Sequence, residues 1–86
     1  MKAIEALKQI NEIFPKYIAI AKDADNEVCT YTSEILEISN DDNCWQLGNL
    51  YANYKKVSEN FAIKIEWDLD DWIKCIVTLN DIHNES

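Results

Sequence analysis

The sequence predicts one α+β domain in the order helix, hairpin, helix, hairpin, with a single antiparallel sheet covered by helices. Three observations carry that prediction. Ile4, Leu7, Ile10 and Phe14 recur at helical spacing near the start of the chain. Asp23-Ala24-Asp25-Asn26, whose side chains favour turns, separates two stretches rich in sheet-forming residues. Phe61, Ile63, Ile65, Trp67 and Leu69 occupy every second position of FAIKIEWDLDD, with Lys64, Glu66 and Asp68 between them, the period of a strand with one buried face. An all-α bundle is the alternative, because the chain has one Gly and one Pro, whereas tight hairpins commonly use Gly.

Taken in order, residues 1–14 form an amphipathic helix with Lys2, Glu5, Lys8 and Glu12 on its polar face. Pro15 ends it, since proline restricts the preceding residue and cannot extend the hydrogen-bond ladder. KYIAIAK (16–22) and EVCTYT (27–32) are the arms of the first hairpin. SEILEIS (33–39) either extends the second arm or forms a short helix, and spacing alone leaves both open. Asn40-Asp41-Asp42-Asn43 offers N-caps for a second helix, in which Leu47, Leu50, Tyr51, Tyr54 and Val57 share a face up to Asn60. Gly48 weakens that helix or marks a close contact. After the strand from Phe61, WIKCIVTL (72–79) reads as the second arm of a hairpin, or as a helix capped by Asp68 or Asp70. Residues 80–86 are polar and expected to fray.

With 86 residues the chain makes one domain, 1–86, with room for one modest core. Its 48% apolar residues and nine aromatic side chains exclude a disordered tail. Sixteen acidic residues against eight Lys give a net charge of -8, and there is no Arg. Direct binding of nucleic acid or of an anionic membrane is therefore disfavoured, because both draw on clustered cations. The N-terminus lacks the long apolar run of a signal peptide or membrane span, so a cytoplasmic protein is expected. Cys29, Cys44 and Cys75 are odd in number and lie 15 and 31 residues apart, which suits free thiols rather than a disulfide framework or zinc site.

No motif specifies catalysis. His83 is the only histidine, stands in the polar tail, and has no nucleophile placed beside it by any recognisable pattern. Phosphate-binding loops are absent because Gly48 is the only glycine. Asp23, Asp25, Glu27 and Glu34 echo the spacing of a calcium loop, but Val28 occupies the place where that loop needs glycine. Neither a metal nor a cofactor is implied, and an enzyme is not expected.

Charge layout is the remaining signal. Acidic residues concentrate in two blocks, 23–42 and 66–71, and their convergence in a folded sheet would form a patch suited to a basic protein. The candidate partner-binding residues are Asp23, Asp25, Glu27, Asp41, Asp42, Glu66, Asp68, Asp70 and Asp71, with Trp72 as an aromatic anchor. In size, acidity and lack of catalytic motifs the chain resembles phage anti-CRISPR proteins and the immunity proteins that neutralise nuclease toxins. The resemblance is one of class, without a shared motif. It implies an inhibitor whose partner is a nuclease or a nucleoprotein complex, blocked at its nucleic-acid-binding or active-site surface. A structural or adaptor subunit with merely solvated acidic faces is the alternative.

Overall fold

The computed structural model describes residues 1–48 and 51–84. Its elements are α1 (Ala3–Ile13), β1 (Ala19–Lys22), β2 (Val28–Tyr31), β3 (Leu36–Ser39), β4 (Cys44–Leu47), β5 (Tyr54–Lys56), α2 (Glu59–Ala62), a 3₁₀ turn (Trp72–Lys74), β6 (Ile76–Thr78) and α3 (Leu79–Asn84). The strands form a four-stranded sheet in the order β5-β2-β1-β6 and a separate two-stranded sheet, β3-β4. Every pairing is antiparallel. The helix-hairpin-helix-hairpin order is therefore wrong, as is the all-α alternative: the described elements are mostly β-strands, and α1 is the one long helix among them.

The first hairpin lies where the turn residues place it, and the shortage of glycine is met by asparagine. Asp23 N–H donates to Glu27 O at 2.8 Å and Asn26 N–H to Asp23 O at 3.0 Å, leaving Ala24, Asp25 and Asn26 as the loop. Asn26 has φ 70°, the left-handed conformation that closes such a loop. Asparagine tolerates it better than other residues with a Cβ, because its short side chain bonds locally. Asn43, at φ 52°, does the same in the 40–43 loop between Ser39 and Cys44. Those four residues were expected to cap a helix. Asn and Asp suit caps and turns for the same reason, and here the turn prevails.

The expected second helix is replaced by β4, β5 and the short α2. Trp45 and Leu47 point to one face of β4 and pack against Ala19, Ala21, Cys29 and Tyr31. Leu50 lies outside the described residues. Gly48 marks a close approach: a Cβ there would stand 2.9 Å from Ile35 Cγ2 and 3.3 Å from Ile35 O. SEILEIS resolves into β3.

FAIKIEWDLDD is not a strand of the sheet. Phe61 belongs to α2, and Ile63 and Leu69 are 78% and 50% exposed, whereas Ile65 is buried. Phe61, Ile65 and Trp67 reach the same core while Ile63 and Leu69 do not, so the alternation is not that of a strand with one buried face. The segment instead clasps the start of α1 through a single parallel bridge, Lys2 to Glu66. Glu66 O accepts from Ala3 N–H at 3.1 Å, and Lys64 O accepts from the Met1 ammonium at 2.7 Å. The Glu66 carbonyl satisfies one of the helix's unpaired N-terminal donors, in place of the side-chain cap that Lys2 does not supply. In WIKCIVTL only Ile76–Thr78 pairs, and it pairs with β1 rather than with its neighbour in sequence. In the stretch expected to fray, residues 80–84 belong to α3, whose Ile82 packs on the core, and residues 85 and 86 lie outside the described residues.

The result is three layers. Ala3, Ala6 and Leu7 of α1 meet Ile20 and Val28 on one face of the four-stranded sheet, and Ile65 from the 61–71 segment joins that core. The β3-β4 hairpin covers Ala19, Ala21, Cys29 and Tyr31 on the other. Both faces of β1 and β2 are buried, so AIAK and VCTY carry little of the polar alternation of a half-exposed strand. Burying each of Leu7, Ile20 and Val28 stabilises by about 1.5–3 kcal/mol.

Candidate protein-interaction cleft

The β3-β4 hairpin packs on Ala19 and Ala21 of β1 and on Cys29 and Tyr31 of β2, while Tyr54 on β5 stays exposed. A cleft of about 780 Å³ lies there, with Cys29, Tyr31 and Tyr54 from the sheet and Cys44, Trp45 and Leu47 from β4 among its lining residues. Register explains the aromatic floor: Tyr31 pairs with Tyr54 across β2 and β5, and the rings stand 6.2 Å apart. Four carboxylates line the same cleft, from Asp23, Asp25, Glu27 and Asp42; none of the described lining residues is a lysine, and Lys56 reaches Glu27 from outside the lining. Two loops bring them together, because Ala24 N–H donates to Asn43 O at 3.2 Å.

Within this group the roles differ. Asp23 is only 8% exposed, and its Oδ1 accepts from the Trp45 backbone N–H at 2.8 Å, tying the small sheet to the first hairpin. Burial raises its pKa above 3.8, opposed by the Trp45 N–H and reinforced by Asp25 and Glu27. Asp25 and Glu27 are exposed; Asp25 Oδ1 accepts from Glu27 N–H at 3.0 Å, and Glu27 pairs with Lys56 Nζ at 2.8 Å. Asp42 and Asp41 are exposed in the second turn, where Ser39 Oγ donates to Asp42 at 3.4 Å.

Asp23, Asp25 and Glu27 hold carboxylate oxygens within 4.8 Å of one another. One oxygen of each is already engaged by Trp45, Glu27 or Lys56. Glu34, the fourth residue of the calcium-like spacing, accepts from Asn80 Nδ2 at 2.9 Å beyond the other end of β2.

The second acidic block divides. Asp71 caps the 3₁₀ turn, accepting from Ile73 N–H at 3.4 Å, and stands with Asp70 near Cys75. Glu66 and Asp68 lie instead in a depression that Lys2 and Lys74 also line. Trp72 is half-buried: its ring meets Trp45 edge-on at 6.4 Å and its carbonyl accepts from Trp45 Nε1 at 3.2 Å. Its place is that of a packing residue. The aromatic residues of the cleft, Tyr31, Tyr54 and Trp45, escaped the sequence reading because their proximity depends on strand register, and Tyr54 also matched a helical spacing.

The thiols are held protonated. Burial pushes Cys29 up to about 11, with Asp23 and Glu27 adding to the effect. Cys44 is raised by desolvation and then by Asp23, Asp42 and Asp25. Cys75 is raised chiefly by burial, and its Sγ donates to Leu69 O at 3.1 Å. A raised pKa suppresses the thiolate that nucleophilic or metal chemistry requires.

Among the described residues, no helix is long and apolar enough to cross a membrane. No protein-family model, curated protein or solved structure matches the chain.

Proposed function

We propose that this protein is a small non-catalytic inhibitor that docks on the basic nucleic-acid-binding or active-site surface of a partner protein. The observation that carries the reading is the cleft, in which carboxylates from two turns surround an aromatic and apolar floor with no lysine among the described lining residues. A cationic side chain from a partner would lay its apolar stem on Tyr54, which is exposed, or on Leu47 and present its charge to Asp25, Glu27 and Asp42. Such a surface speeds encounter through charge and gains affinity through aromatic contact. The supporting set thus narrows from the ten residues expected to the cleft, with Asp23 and Trp72 holding its walls.

An anti-CRISPR protein acting on a Cas nuclease or a crRNA-guided complex fits this chemistry, as does an immunity protein acting on a nuclease toxin. The two differ in target, not in surface. A panel of Cas nucleases and nuclease toxins, assayed for DNA cleavage with and without the protein, tests the reading. Inhibition of a panel member that weakens as salt rises from about 50 to about 300 mM supports it. Full cleavage by every member sinks it.

A further inference from the structure

On the opposite face of the four-stranded sheet, the end of α1 and the β5–α2 segment enclose a second groove, of about 430 Å³. Its character is the reverse of the acidic cleft. Ile10, Ile13, Phe14, Val57 and Phe61 supply an apolar lining, and Ile13 and Phe14 are 71% and 49% exposed. Lys55 and Lys56 stand on its border, and none of the described side chains lining it is acidic, although the chain carries sixteen acidic residues. Lys55 Nζ lies 5.8 Å from the Phe14 ring centroid, and Lys16 Nζ lies 5.2 Å from that of Tyr17, another lining residue. Lys56 is shared with Glu27 across the sheet edge.

We infer that this groove receives an acidic amphipathic segment of another protein, with a bulky apolar side chain seated between Ile13, Phe14 and Phe61 and flanking carboxylates paired to Lys55 and Lys16. Charge selects the occupant. A second copy joined by a two-fold axis along β5, the outer strand of the sheet, would set Lys55 and Lys56 against their own counterparts. Two or three lysines fall short of the basic clusters that hold anionic lipid, and the net charge of -8 repels lipid and nucleic acid alike. An acidic amphipathic segment faces the same net charge, but it alone brings together an apolar side chain for the groove and carboxylates spaced to reach Lys55 and Lys16. The groove and the acidic cleft lie on opposite faces, so the protein can hold two polypeptides of opposite charge at once.

The test is a titration followed by backbone amide NMR of the whole chain. The probes are pooled short peptides that each carry one Phe, Leu or Trp flanked by Glu, matched peptides with Lys in place of Glu, an oligo-dT strand, and phosphatidylserine vesicles. Saturable shifts at Ile13, Phe14, Lys55 and Phe61 with the Glu peptides alone are expected. Ile13→Asp and Lys55→Glu, both at exposed positions, should each weaken that binding roughly tenfold while leaving the remaining spectrum in place. The inference is overturned if no Glu peptide shifts these amides or if the Lys peptides bind equally well. It is also overturned if the oligonucleotide or vesicles bind there instead, or if the same amides shift with protein concentration alone, as self-association would require. None of these outcomes depends on the acidic cleft, so failure here leaves the inhibitor reading standing.

Discussion

Replacing Asp23 separates the two effects of its carboxylate. As an acceptor it holds the Trp45 N–H at 2.8 Å; as a buried charge beside Asp25 and Glu27 it opposes folding. Its pKa is raised in the folded protein, so the native state retains a proton that the unfolded chain has released once pH passes 3.8. Stability from this group therefore falls as pH rises from 3.8 through the folded value, and the whole penalty is present above that window. Asp23→Asn keeps an acceptor oxygen for Trp45 and removes the charge. Its stability at neutral pH should equal or exceed that of the parent, with a flatter dependence on pH above 3.8. Asp23→Ala strands the partly buried Trp45 N–H and should cost about 1–3 kcal/mol. Urea unfolding followed by tryptophan fluorescence, from about pH 4 to about pH 7, reads both variants. Equal losses at neutral pH in the two variants would refute the reasoning, since the charge would then be the stabilising feature.

Asn26→Ala and Asn43→Ala should each cost about 1 kcal/mol in urea unfolding, because both residues hold positive φ, while the corresponding glycine variants should be neutral or stabilising. Ile65→Ala should destabilise by about 2–4 kcal/mol and Ile63→Ala by less than about 0.5, since the first is buried and the second is 78% exposed; similar losses would restore the strand reading of this segment. Iodoacetamide at about pH 8 should modify Cys44, the half-buried thiol, before Cys29 and Cys75, and all three more slowly than a free cysteine. Mass spectrometry over time checks that order, and fast labelling of Cys29 would contradict it.

The parts of the fold legible in the sequence are those fixed by local chemistry. Asp23 to Asn26 closes a hairpin with its own side chains and backbone, and Pro15 follows a helix whose buried Leu7 sits in an amphipathic pattern. The misread parts depend on partners remote in sequence. Residues 61–71 alternate as a strand does, yet the backbone groups of Lys64 and Glu66 are taken by Met1 and Ala3, more than sixty positions away. Trp45 was expected inside a helix, but its N–H groups bond to Asp23, Lys22 and Trp72. Asparagine in the left-handed conformation met the need that the missing glycines had called into doubt. The candidate site divides along the same line. Acidic residues near one another in sequence gather at the first two turns, whereas 66–71 splits because its ends serve different neighbours.

The association rate of a Cas nuclease or nuclease toxin that the protein inhibits tests the central proposal most directly. The comparison is between the parent and Asp25→Asn/Glu27→Gln/Asp42→Asn, a triple variant that keeps each side chain's shape and removes three charges from the cleft border. The variant should associate about tenfold or more slowly at low salt, with the difference shrinking as salt rises. Equal rates for the two proteins at every salt concentration would contradict it.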